Sequence, residues 1–212
     1  MAIFQFRGVR FIFKLKRHGF SRRGKRSYMT SINKKKILAI PGSTRHFSTN
    51  LSLVQAICDL FRDQLDINIF LGLTGIPHFN PDLDTETPPE AVLEFRQQLK
   101  EADGILICTP EYAMGVPGSL KNAIDWTVSS MEFSHKPVAL ITASSSGQKA
   151  HYSLLETLRV IESDIPVDSQ LLISFVKTKV KGDKIVDSDT LQQVKKLINS
   201  LARTIDEKKE NQ

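Results

Sequence analysis

Four consecutive apolar residues, Ile37-Leu38-Ala39-Ile40, stopped at once by Pro41-Gly42, constrain this chain more than any other feature. A strand with no polar alternation has to be covered on both faces, which places it inside a parallel sheet sandwiched between helices. Ser43, Thr44, Ser48 and Thr49 then bring hydroxyls, Arg45 brings a permanent positive charge, and Asn50 is placed to cap a helix starting near Leu51. A buried strand, a hydroxyl-rich loop and a helix N-terminus, in that order, form a cradle for a phosphate monoester. The spacing is neither G-x-x-x-x-G-K-[ST] nor G-x-G-x-x-G, which disfavours a nucleoside-triphosphate loop and a dinucleotide fingerprint. The plainer reading is a strand-to-helix loop with capping hydroxyls and no ligand.

Strand and helix signals alternate from there on. Leu51, Val54, Ile57, Cys58, Phe61 and Leu65 recur at helical spacing. Ile67, Ile69 and Leu71 alternate with Asp66, Asn68 and Phe70, as in a strand nearer an edge. Residues 72–89 hold four of the nine prolines and read as a long loop with a turn at Asn80-Pro81-Asp82. Pro89 and Glu90 open a helix through Leu93, Leu99 and Ala102, and Ile105-Leu106-Ile107 form the most uniformly apolar strand, which predicts a central place. A helix from about Ser119 carries Leu120, Ala123, Ile124 and Trp126 inward. A strand over 138–142, a helix over 149–161, a strand over 171–173 and a closing helix over 189–205 complete the run. The alternation predicts an α/β fold: a doubly wound, five-stranded parallel sheet with helices on both faces and right-handed crossovers. In the flavodoxin-like order 2-1-3-4-5 the first and third strands lie side by side, with the ligand at their carboxyl ends. The loops over 109–118 and 143–147 emerge there.

Charge divides the chain. Residues 1–28 contain nine Lys and Arg and no acid, so the pI of about 9.3 belongs to this arm, and the body, with twenty bases against twenty-three acids, is slightly acidic. Residues 1–33 are read as a basic arm, disordered or an artefactual start. The arm is open to three origins: sequence upstream of a start at Met29, a segment touching nucleic acid or anionic lipid, or an organelle presequence. Charges interrupt Ile12 to Leu15 and the segment before it, so neither a secretory signal nor a membrane span is expected there. Cys58 and Cys108 are too few for a disulfide framework and imply a reducing, cytoplasmic setting, and the five histidines show no ligand spacing.

Two stretches together resemble the NADPH-dependent FMN reductase family of flavodoxin-like proteins. The first is G-S-x-R-x-x-S-x-N, standing as Gly42, Ser43, Arg45, Ser48 and Asn50. The second is P-E-Y-x-x-x-x-P-G-x-L-K-N-A-I-D-W, running from Pro110 to Trp126. The resemblance implies that 34–212 is one such domain, with Ser43, Arg45, Ser48, Thr49 and Asn50 on the FMN phosphate. Pro110, Glu111, Tyr112 and Ala113 would border the isoalloxazine ring, and Ser144, Ser145, Ser146 and Gly147 would close over its other side. It implies NADPH or NADH as donor, a flavin, quinone or azo acceptor, and a homodimer or homotetramer. No catalytic acid or base and no metal is expected, because the flavin carries the hydride chemistry.

Glu111 reads as a structural or subunit-contact residue in preference to a catalytic acid, Tyr112 as a wall of the ring site, and Trp126 and the phenylalanines as core. His46 reads as a solvent-facing neighbour of the phosphate loop. A non-enzymatic electron carrier of the same fold is the alternative function, poorly matched by so weakly acidic a body. A nucleic-acid or lipid binder acting through the arm lacks aromatic interleaving.

Overall fold

The computed structural model describes residues 34–45 and 47–210; the arm and His46 lie outside the described residues. Five strands, β1 (Lys35–Pro41), β2 (Leu65–Ile69), β3 (Gly104–Thr109), β4 (Val138–Ala143) and β5 (Gln170–Ile173), form a parallel sheet in the order β2-β1-β3-β4-β5. This is the architecture expected from the alternation of strand and helix. Every residue of β3 and β4 is buried, as their unbroken apolar sequences require, whereas β2 alternates because it is an edge.

The helices are α1 (Thr49–Phe61), α2 (Glu90–Glu101), α3 (Gly118–Asp125), α4 (Gln148–Val160), a one-turn α5 (Val176–Lys179) and α6 (Ser188–Glu210). Successive strand residues point to opposite faces, and each face has its own core. Leu38, Ile40, Ile105 and Ile107 meet Phe95 and Leu99 of α2, Leu120 and Ile124 of α3 and Leu154 and Leu158 of α4. Ile37, Ala39, Leu106 and Cys108 meet Val54 and Ile57 of α1 and Val194, Leu197 and Leu201 of α6. Among the described residues no helix is long and apolar enough to cross a membrane.

The structure departs from the sequence reading in several places. Helix α1 begins at Thr49, with Ser48 at its N-cap position, so Asn50 lies inside the first turn and does not cap it. The inner stripe of α1 runs through Leu53, Val54, Ala56, Ile57 and Phe61; Leu65 already belongs to β2. Beyond Ile69 the alternation reverses: Phe70 turns inward to pack on Phe95 at 4.8 Å, leaving Leu71 two-thirds exposed. In α2, Val92 and Phe95 face the core and Leu93 is exposed.

The loop over 72–89 is held at many points. It contains 3₁₀ turns at Gly72–Gly75 and Pro81–Leu83, and the Asn80 side chain accepts the Asp82 N–H in the expected turn. The Pro77 carbonyl accepts from Trp126 Nε1 at 2.8 Å and Asn122 Nδ2 at 2.9 Å, while Asn122 Oδ1 accepts the Phe79 N–H at 2.7 Å. After β5 the chain forms α5 and a small hairpin, β6 (Val180–Lys181) with β7 (Lys184–Ile185), which the sequence reading left unassigned. Four phenylalanines, 61, 70, 95 and 133, are core, but Phe47, Phe79 and Phe175 are exposed, against the expectation for them.

Candidate functional site

Parallel strands deliver their carboxyl ends to one edge of the sheet, and there the chain encloses a cavity of about 300 Å³. The loop from β1 to α1 lines it with Ser43, Arg45, Ser48, Thr49 and Asn50. Gly42 lets this loop lie against β3. Its N–H donates to the Cys108 carbonyl at 2.8 Å, and a Cβ there would come within 2.5 Å of Thr109 Oγ1 and 2.9 Å of Leu120 Cδ2. The Ser52 N–H donates to the Ser48 carbonyl one turn back at 3.0 Å. Among the described residues the N–H groups of Thr49 and Leu51 find no such acceptor, and the first turn of α1 carries the partial positive charge of a helix N-terminus.

Asn50 has a different task from the cap expected of it. Its buried side chain donates from Nδ2 to the Ala143 carbonyl at 3.1 Å and accepts the Cys108 thiol at 3.3 Å, clipping α1 to β3 and β4. Burial pushes the Cys108 thiol strongly up, so it stays protonated as a donor.

The loop after β3 contributes Pro110, Glu111 and Tyr112. Tyr112 and Gly115 exchange N–H···O bonds at 3.0 and 2.9 Å, closing a two-residue turn in which Ala113 (φ 49°) and Met114 (φ 62°) are both left-handed. That conformation costs an L-residue roughly 1–2 kcal/mol, so the turn stores strain beside the cavity. Glu111 Oε2 accepts the Ala150 N–H at 2.9 Å in the first turn of α4, so the carboxylate acts as a cap contributed from another loop. Across the mouth, Ser43 Oγ and Tyr112 OH lie 3.2 Å apart.

The loop after β4 adds Ser144 and Ser145, and Gly147 (φ 98°) turns it into α4 where a Cβ would lie 2.8 Å from Leu172 Cδ1. This loop is zipped to the segment after β5. Val176 N–H donates to Ser144 O at 3.1 Å, Phe175 N–H to Ser145 O at 3.2 Å, and Ser174 Oγ to Ser146 O at 3.1 Å. Phe175, Val176, Lys177 and Thr178 thereby form a fourth wall that sequence reasoning missed. Its only signal was topological: β5 must also end on this edge. Of the residues singled out in the sequence, Ala113, Ser146 and Gly147 do not line the cavity. Ala113 is in the strained turn, Ser146 binds through its carbonyl to Ser174, and Gly147 serves the backbone.

The wall holds one acid, Glu111, and two cations, Arg45 and Lys177, which have no acidic partner among the described residues. The cavity therefore favours an anion. Beneath it, buried His151 lies with Nδ1 2.9 Å from Thr142 Oγ1, and burial holds its pKa below the ordinary value, leaving the ring neutral at pH 7. No group of metal-ligating side chains occurs among the described residues.

A doubly wound sheet with a cationic, hydroxyl-lined cavity where the winding reverses defines a flavodoxin-type α/β protein built for a phosphate-bearing ligand. The profile of NADPH-dependent FMN reductases matches residues 35–178, and the chain belongs to that family. It is an FMN-dependent NAD(P)H oxidoreductase. An NAD(P)H-dependent FMN reductase of Pseudomonas aeruginosa is 39% identical over 128 residues, covering 58% of this chain and 69% of that protein. An NADPH azoreductase of a Bacillus species is 30% identical over 179 residues, covering 75% and 98%, and a quinone reductase of Escherichia coli is 27% identical over 169, covering 76% and 90%. The flavoenzyme NAD(P)H:(acceptor) oxidoreductase FerB from Paracoccus denitrificans shares the fold. Its TM-score is 0.67 at 24% identity, over 82% of this chain and 98% of that one.

Proposed function

We propose that the cavity holds FMN with its phosphate on Ser43, Arg45, Ser48, Thr49 and the first-turn amides of α1. The flavin ring lies between Pro110–Tyr112 and Ser144–Ser145, and the acceptors are quinones, azo compounds or free flavin. The observation that carries this reading is a guanidinium with no acidic partner among the described residues, set with hydroxyls and the N-terminus of α1 at the switch point of the sheet. Those groups fit a phosphate monoester, which needs donors and positive charge together. When bound, FMN supplies the hydride chemistry.

The chain's own part is to bind, orient and shield. Arg45 and the hydroxyls fix the anionic end. Asn50 holds α1 in register with β3 and β4, so the donors converge. Its side chain is buried and held by the Ala143 carbonyl and the Cys108 thiol, so its contact with the phosphate is through the backbone N–H. Tyr112, half exposed at the mouth, forms a wall and leaves the entrance open to a nicotinamide and then to a flat acceptor. The relatives named for quinone and azo reduction support that acceptor class. Exposed apolar surface at Met114 and Tyr152 beside this edge favours a homodimer or homotetramer, and two free cysteines suit the cytoplasm.

The visible spectrum of the purified chain tests the reading. A yellow protein that bleaches with NADPH and recovers with a quinone is the expected result. Arg45→Ala is expected to weaken FMN binding about tenfold to a hundredfold, since hydrogen bonds to charged groups are worth roughly 1.5–3 kcal/mol each. A colourless chain that leaves added FMN fluorescence unquenched overturns it.

A further inference from the structure

The wall after β5 presents a cation that the phosphate loop's motif does not include. Lys177 lines the same cavity as Arg45, is exposed, and has no acidic partner among the described residues. Its backbone is held firmly. The preceding residues, Ser174, Phe175 and Val176, all bond to the loop 144–146, and the Val176 side chain is buried in the core beneath. Phe175 is left-handed at φ 54°, a conformation an aromatic residue seldom adopts, and it marks a sharp turn that swings Lys177 and Thr178 toward the cavity. The hairpin that follows α5 packs against α1, which places this wall on the side where the first turn of α1 opens.

We infer that Lys177 is a second phosphate-binding cation, opposite Arg45, and that it makes the site select a flavin bearing a phosphate over riboflavin. The inference rests on the reading of this cavity as the FMN site and adds a residue and a selectivity to it. A phosphate monoester carries between one and two negative charges at neutral pH, and Arg45 alone leaves part of that unmatched. Glu111, the only acid of the wall, is spent on the N–H of Ala150. A lysine here acts as a point charge without directional demands, so it contributes through its charge more than through hydrogen-bond geometry.

The test is a pair of fluorescence titrations, FMN and riboflavin, on the full chain stripped of flavin. Lys177→Met is expected to weaken FMN about tenfold while leaving riboflavin within about twofold; Lys177→Arg restores FMN and Lys177→Glu weakens it further. The side chain is exposed, so unchanged far-ultraviolet circular dichroism and melting temperature are expected of each variant. Equal losses for FMN and riboflavin, or no loss for FMN in Lys177→Met while Arg45→Ala does lose it, overturn the inference and leave the FMN site standing. A raised KM for NADPH but not NADH, with FMN affinity unchanged, also overturns it by moving the charge to the donor's 2′-phosphate. Wild-type protein that binds neither flavin overturns the site and the inference together.

Discussion

Glu111 belongs to a motif bordering the ring site, yet its carboxylate serves the first turn of α4 through the Ala150 N–H. Glu111→Ala is therefore expected to cost about 0.5–2 kcal/mol of stability, the usual range for a lost helix cap. Glu111→Gln keeps an acceptor oxygen and should recover most of the loss in urea unfolding. Equal destabilisation by both would show that charge, not capping, is what the position needs. One residue further on, buried His151 is a second place where helix and sheet depend on a single polar pair. Burial lowers its pKa below 6.5, so between that value and the folded one the unfolded chain binds the extra proton. Its contribution is complete above pH 6.5 and is lost as pH falls through the folded value. The Tyr152 ring lies 6.1 Å away, Lys149 precedes His151 on α4, and Glu111 reaches the same turn from the loop after β3. Wild type should lose stability from pH 7 to 5 with a slope that His151→Gln removes; identical slopes would sink the assignment.

Elements announced themselves in the sequence to the extent that their burial is local. β1, β3 and β4 are covered on both faces, so their apolar runs were readable without any partner in view, and so were the α3 stripe and the extent of the closing helix α6. The end of β2 was misread because Phe70, still bonded to β1 through its N–H, meets Phe95 on the opposite face of the sheet, a contact made across sequence. The loop over 72–89 hid its order for the same reason, since its partners lie in α2, α3 and the turn after α3. Asp84 pairs with Arg96 at 2.7 Å with both side chains nearly buried, Ser129 Oγ donates to the same carboxylate at 2.5 Å, and Arg96 Nε donates to the Trp126 carbonyl at 2.9 Å. Partial burial works to raise the Asp84 pKa, but the Ser129 and Arg96 donors outweigh it and the group lies below its usual range. Removing one partner leaves the other charge unmatched, so Arg96→Ala is expected to cost about 3–5 kcal/mol in chemical denaturation. Asp84→Asn with Arg96→Met should cost less than Arg96→Ala alone; a larger loss would show that the pair itself, beyond its burial, holds the segment.

At the scale of the molecule, the cavity is assembled from the ends of four strands, and three of those ends were legible because each carries its own chemistry. Hydroxyls with arginine follow β1, Pro-Glu-Tyr follows β3, and three serines with glycine follow β4. The fourth, after β5, has no comparable signature and becomes part of the site only through hydrogen bonds to Ser144 and Ser145. The clip made by Asn50 was invisible for a related reason: an asparagine near a helix start reads as a cap until β3 and β4 stand beside it. Because the walls come from residues as distant as Ser43 and Thr178, the unfolded chain has no equivalent site, and FMN should bind the native state alone. Such a ligand at a hundred times its dissociation constant stabilises by about 2.7 kcal/mol, which for a domain of this size raises Tm by roughly 5–10 °C. The flavin-stripped chain is expected to show that rise with FMN, less with riboflavin at the same concentration, and little with FMN in Asn50→Ala, where the first turn of α1 loses its anchor to β3 and β4. A melting temperature indifferent to saturating FMN would mean that these walls do not close around the flavin at all.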